Sequence, residues 1–190
     1  PEGTAAVVRA YLEHHLHKTQ GFTKLFYLGP MFRAERPQAG RLRQFHQYGV
    51  EAIGSGSPWV DVEVITLCVR MLEACGLKAS DLPVWISTMG CRDDQTKAAT
   101  SLRSQLQEEP TTLCPDCRHR LEKNVFRVLD CKHPPCQMEV RAAIARMGHR
   151  AGYPPTALTL CDACATHFDD VRQGLRDAGI SFDDTQVFAR

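Results

Sequence analysis

Residues 29–51 constrain the fold of this 190-residue chain more than any other stretch. They carry four arginines, two glutamates and three glutamines between apolar flanks. A solvated loop rarely alternates in this way, whereas two paired strands do. Residues 31–33 and 43–53 read as the arms of a long hairpin, and Pro37 and Gly40 supply turn residues between them. Phe32, Phe45, Tyr48 and Val50 are expected to fix this backbone against a core. Arg33, Glu35, Arg41, Arg43, Gln47 and Glu51 then project from a rigid frame. Residues two apart share a strand face, so Gln47, Gly49 and Glu51 line one side, as do Arg43 and Phe45, with Arg33 on the opposing arm. A carboxylate beside a neutral amide can receive an ammonium and a second polar group. Guanidinium forks match phosphate oxygens. The spacing alone also allows a surface hairpin whose arginines and glutamates pair with one another.

The flanking sequence extends the pattern. Residues 4–18 read as a helix with Val7, Val8, Tyr11, Leu12 and Leu16 near one face. Residues 22–28 read as a strand interrupted at Gly29-Pro30. Ser57-Pro58 signals a helix start, and that helix is expected to end at Gly76. Residues 83–88 read as another strand. Beyond about residue 90 the chain turns mainly helical, with segments near 95–107, 115–123, 136–147 and 162–178. Residues 180–188 read as a strand returning to the first module. The expected architecture is α+β: residues 1–90 form a module on an antiparallel sheet, and residues 91–190 form a helical, cysteine-rich insertion.

The net charge is +1, which excludes a global basic field and requires any phosphate site to be local. No segment has the apolar length of a membrane span, and no signal peptide is visible. The chain opens on Pro1 and is read as a piece of a longer protein.

Nine cysteines include two C-x-x-C pairs, Cys114/Cys117 and Cys161/Cys164, each next to a helix start. Four thiolates from two such knuckles can hold a tetrahedral Zn²⁺, so Cys114, Cys117, Cys161 and Cys164 are the expected structural metal site. Cys131 and Cys136 could replace the first pair, and a set of reduced thiols is the alternative. Cys68, Cys75 and Cys91 read as core or boundary residues. The histidines at 14, 15 and 17 read as a solvated helix face. His46 is expected to point away from Gln47.

The run over 29–51, Gly-Pro-Met-Phe-Arg-Ala-Glu-Arg-Pro-Gln-Ala-Gly-Arg-Leu-Arg-Gln-Phe-His-Gln-Tyr-Gly-Val-Glu, closely resembles motif 2 of histidyl-tRNA synthetases, a class II aminoacyl-tRNA synthetase family. Pro1-Glu2-Gly3-Thr4-Ala5 with Arg9-Ala10 is similar to the family's histidine-contacting segment. Phe126-Arg127-Val128-Leu129-Asp130-Cys131-Lys132 resembles the insertion-domain signature of the bacterial enzymes. This resemblance implies a partial class II catalytic sheet and ATP-dependent activation of L-histidine, followed by transfer to tRNA(His). Arg33 resembles the catalytic arginine that contacts the ATP α-phosphate and the histidine carboxylate. Glu35 resembles the adenine contact and Arg41 another ATP contact. Gln47 and Glu51 look like histidine ligands, with Glu2 and Thr4 holding that substrate from the other side. Mg²⁺ accompanies ATP. A cytoplasmic homodimer with no membrane role is implied.

Arg118, Arg120, Lys123 and Arg127 are expected to give the insertion a basic face; the resemblance implies that this face contacts the tRNA acceptor arm, and a solvated helix face is the alternative. Motif 1, the histidine-specific segment, motif 3 and the anticodon-binding domain are absent from these residues, so the piece alone is expected to be inactive. The competing expectation is the family's non-catalytic paralogue, the histidine-sensing regulatory subunit of ATP phosphoribosyltransferase.

Overall fold

The structure, a computed structural model, describes residues 3–34, 36–107, 112–147 and 160–184. The chain divides into two compact units, Pro1–Cys68 and Val69–Arg190.

The first unit opens with helix α1 (Gly3–Glu13) and the short α2 (Leu16–Thr19). One continuous helix was the expectation. The chain instead breaks where His15 takes a left-handed conformation, φ 53°. Histidine tolerates this region better than most side chains, and a left-handed residue is a common way to end a helix. Tyr11 is buried beneath the break, with its ring centroid 5.9 Å from that of His17.

Strands β1 (Thr23–Phe32) and β2 (Gln44–Ile53) then pair antiparallel, from Thr23 opposite Ile53 to Phe32 opposite Gln44. The expected interruption at Gly29-Pro30 does not occur. The Arg33 N–H donates to the Arg43 carbonyl at 2.8 Å, which makes the odd-numbered residues of β1 the hydrogen-bonded pairs. Pro30, opposite His46, therefore lies at a non-hydrogen-bonded position. Its missing N–H faces away from β2, so no ladder bond is lost.

The hairpin has two different faces. Directly paired residues share a side, so Leu25, Tyr27, Gly29, Met31 and Arg33 lie with Arg43, Phe45, Gln47, Gly49 and Glu51. Helix α1 packs on the hairpin, tied to this face by Thr4 and Glu51. The other face carries Phe26, Leu28, Phe32, His46, Tyr48 and Val50. Phe26 is 82% exposed and Leu28 75%. Phe32, Tyr48 and Val50 were expected to share one core with Phe45. The register separates them from Phe45, and Phe32 and Tyr48 are exposed. Helix α3 (Pro58–Ala74) begins at the proline that the sequence marked. Lys24 on β1 meets Glu63 on α3 at 2.6 Å.

The second unit contains β3 (Val84–Trp85), α4 (Arg92–Gln107), α5 (Pro115–Lys123), α6 (Pro134–Arg146), α7 (Asp162–Asp177) and β4 (Phe182–Asp183). Its core follows helical spacing. Leu102 and Leu106 come from α4, Cys117 and Leu121 from α5, and Cys136, Val140 and Ala143 from α6. A short 3-10 turn, Val125–Val128, adds two buried valines. The expected return strand is short, Phe182–Asp183, and pairs in parallel with Val84–Trp85. The remainder of that expectation, residues 185–188, lies outside the described residues.

Arg172 on α7 is buried over the Phe168 ring, 4.7 Å from its centroid, and forms ion pairs with Asp169 and Asp184. Among the described residues, no helix is long and apolar enough to cross a membrane.

Candidate functional site

Strand parity gathers the expected ligand residues of the first unit on one face. Arg33 sits just beyond β1, with its guanidinium carbon 3.7 Å from the centre of the Phe45 ring. That cation–π contact holds the guanidinium over the ring of a residue on the same face. Arg33 Nε is buried and has no hydrogen-bond partner among the described residues. Gln47 Oε1, on the same face, is in the same condition. A buried polar atom left unpaired costs on the order of 1–3 kcal/mol, and two on one face mark a place prepared for a ligand. Four ladder steps separate Arg33 from the Gln47 pair, about 13 Å along the strand. The face therefore suits an extended ligand with an anionic group at one end and polar groups at the other.

At the far end Thr4 Oγ1 donates to Glu51 Oε1 at 2.7 Å. This bond orients the carboxylate from α1 and leaves its second oxygen to accept a cationic donor. Tyr27 lies between the two elements. A Cβ on Gly3 of α1 or on Gly49 of β2 would overlap its ring, so both glycines are needed for α1 to approach the sheet this closely. No role had been expected for Tyr27. Its parity with Gly49 and Glu51 was readable once the hairpin register was known, but the register depends on the turn.

That turn runs through Gln38 and Arg41, whose backbones exchange hydrogen bonds of 3.3 and 2.9 Å around Gly40, φ 72°. Arg41 is thereby carried at the exposed tip of the hairpin. Glu2 and Glu35 lie outside the described residues. His46 points to the opposite face from Gln47, as strand alternation required.

The cysteines do not group as expected. Cys114 and Cys117 join Cys131 and Cys136, while Cys161 and Cys164 join Cys91 and Asp94. Within each group the ligand atoms lie within 4.8 Å of one another. The proposed set of Cys114, Cys117, Cys161 and Cys164 is therefore not brought together, nor is the variant that replaces the first pair by Cys131 and Cys136. The reason is local. The 3-10 turn at Val125–Val128 folds the chain back after α5 and delivers Cys131 and Cys136 to the first knuckle. Cys91, expected at a core or boundary position, belongs to the second group through α4.

In the first group Cys117, Cys131 and Cys136 are buried and Cys114 is half-buried. Burial and the neighbouring thiols push Cys117 and Cys136 up, whereas the Cys117 backbone N–H holds Cys114 below its usual value.

In the second group Asp94 is the organising residue, 1% exposed. Its oxygens accept from the backbone N–H of Cys161 at 3.1 Å and of Cys91 at 3.3 Å. Burial pushes the carboxyl up, but the Cys164 thiol and these two N–H donors outweigh it and hold Asp94 below its usual value. Burial, with Cys161 and Asp94 nearby, pushes the Cys164 thiol up to about 12.

Comparison with known proteins gives the family of the chain. A family model described as histidyl-tRNA synthetase matches residues 1–112. The chain is 45% identical to a histidine–tRNA ligase of Halothermothrix orenii, over 96% of this chain and 41% of that protein. It is 41% identical to the corresponding ligase of Aquifex aeolicus, over 96% of this chain and 42% of the relative. The crystal structure of apo S. aureus histidyl-tRNA synthetase superimposes with a TM-score of 0.68 at 30% identity, covering 97% of this chain and 40% of that one. The chain thus spans about two-fifths of the length of these relatives. The α+β fold is that of a class II synthetase, and the chain belongs to the histidyl-tRNA synthetase family.

Proposed function

We propose that this chain supplies the motif 2 half of the active site and the insertion domain of a histidine–tRNA ligase. The observation that carries the reading is the pair of buried atoms, Arg33 Nε and Gln47 Oε1, that have no partner among the described residues, on the face that also presents Glu51.

In this reading the substrates are L-histidine, MgATP and tRNA(His). Arg33 binds the α-phosphate and the histidine carboxylate, bringing nucleophile and phosphorus together. It also stabilises the charge that builds on the phosphate oxygens as pyrophosphate leaves. Gln47 and Glu51 receive the polar groups of histidine, and Thr4 orients Glu51 through the bond described above. Glu2 completes the histidine contacts, while Glu35 and Arg41 contact ATP.

Residues 1–90 act as part of the catalytic core and residues 91–190 as the insertion, whose Arg118, Arg120, Lys123 and Arg127 contact tRNA. A two-stranded hairpin is marginal in water, so the ligase completes the sheet with further strands. The enzyme works as a cytoplasmic homodimer, and the present residues alone do not form histidyl-adenylate.

The test is histidine-dependent ATP–pyrophosphate exchange by the complete ligase containing these residues. Exchange in the unsubstituted ligase that disappears in a folded Arg33→Ala variant supports the reading. An unsubstituted, folded protein that binds histidine and shows no exchange is the regulatory paralogue instead.

A further inference from the structure

We propose that Cys114, Cys117, Cys131 and Cys136 hold one structural zinc ion in the core that α4, α5 and α6 build in the second unit. Four observations converge on this site.

The four sulfur atoms lie within 4.8 Å of one another, and Cys114 Sγ is 3.9 Å from Cys131 Sγ. Zinc–sulfur bonds of 2.3 Å in a tetrahedron set the sulfurs about 3.8 Å apart. The separation matches, and it is far too long for a disulfide.

The sequence spacing is also that of paired metal knuckles. Two residues separate Cys114 from Cys117, and four separate Cys131 from Cys136.

Backbone donors are aimed at the sulfurs. The Cys114 N–H donates to Cys136 Sγ at 3.1 Å, and the His133 N–H donates to Cys131 Sγ at 3.4 Å. Such bonds orient metal-bound thiolates and disperse the double negative charge of a four-thiolate zinc centre.

Finally, the sulfurs belong to the core. Leu102, Leu106, Leu121, Val125, Val128 and Val140 pack with them. Three of the four sulfurs are buried and all four positions are taken by protein thiolates, so the site is structural rather than catalytic. Four cysteines gathered by packing alone would present no need for convergent sulfurs. A core of this size, made of short helices and a 3-10 turn, gains folding energy directly from a metal.

The second group differs in kind. Both Asp94 oxygens already accept backbone N–H donors, and Cys91 and Cys161 are exposed. Its geometry is accounted for as a junction between the starts of α4 and α7, and no ion is assigned to it.

The test is metal analysis of the full chain purified under reducing conditions, with Cys131→Ser and, as control, Cys75→Ser. We expect Cys131→Ser to carry one zinc equivalent per chain less than the unsubstituted protein and Cys75→Ser to retain it. Zinc absorption spectroscopy is expected to return a four-sulfur shell at about 2.3 Å. A footprint on the unsubstituted chain keeps the proposal open to refutation if Cys131→Ser does not fold. Alkylation followed by mass spectrometry should find Cys114, Cys117, Cys131 and Cys136 protected with zinc and modified after chelation, with Cys68 and Cys75 modified in both. Absence of zinc from the reduced, folded chain, unchanged zinc in folded Cys131→Ser, or no effect of the chelator on these four cysteines would each overturn it.

Discussion

The hairpin face of the first unit and the thiol core of the second both gather ligand-bearing side chains from several elements, yet they do so under opposite conditions. On the hairpin, Arg33 and Gln47 keep buried polar atoms without a partner among the described residues. In the thiol core, backbone N–H groups already point at Cys131 and Cys136, and aliphatic side chains surround the cluster. An unpaired buried polar atom lowers stability, and a chain keeps it where a ligand completes the pairing. A closed cluster whose neighbours are satisfied contributes to folding instead. The difference teaches how to separate a site that acts from a site that holds. The first has polar capacity to spare along an accessible face, and the second has none.

The comparison can be broken or sharpened by substitution. Arg33→Ala removes the group assigned to the developing phosphate charge. It is expected to lower pyrophosphate exchange at least a hundredfold, about 3 kcal/mol or more, with thermal unfolding unchanged. Coupled loss of stability would place Arg33 on the structural side instead.

Leu106→Ala acts in the thiol core, where Leu106 is fully buried. The cavity is expected to cost about 3 kcal/mol in denaturant unfolding, and histidine affinity should not move.

Asp94→Asn is expected to cost about 2 kcal/mol, because two backbone donors lose a charged acceptor. The effect depends on pH in a definite direction. Asp94 is held below its usual value, so its contribution is complete above the unfolded pKa, about 3.9, and disappears as pH falls through the lower folded value. Unfolding measured across the acid range should show that loss in the parent and not in Asp94→Asn.

Thr4→Val removes the donor to Glu51 and is expected to weaken histidine binding by about 1 kcal/mol in calorimetry. Glu63→Gln breaks an ion pair whose two side chains are each about half exposed, and should change unfolding by no more than about 0.5 kcal/mol.

Much of this was legible before folding. The alternation over 29–51 required a hairpin, and its parity placed Gln47, Gly49 and Glu51 together with His46 opposite. Proline at 58 marked the start of α3, and helical spacing located α5 and α7. Other features could not be read. Whether Pro30 ended a strand depended on which side its missing N–H would face, a matter of register. Tyr27 entered the site only through the close approach of α1, which Gly3 and Gly49 permit. Phe32 and Tyr48 were apolar enough for a core, but strand parity set them on the face away from Phe45.

The cysteines divide the two kinds of information most clearly. The sequence by itself determined that Cys114/Cys117 and Cys161/Cys164 form knuckles, because two intervening residues at a helix start aim both sulfurs the same way. It also determined the face on which Arg33, Gln47 and Glu51 would meet, because strand periodicity is a property of the local backbone. Only the tertiary structure decided that the first knuckle closes on Cys131 and Cys136 and the second on Cys91 and Asp94. That choice depends on how the 3-10 turn after α5 reverses the chain and on which helix starts meet. Long-range packing settles both, and no residue spacing encodes them.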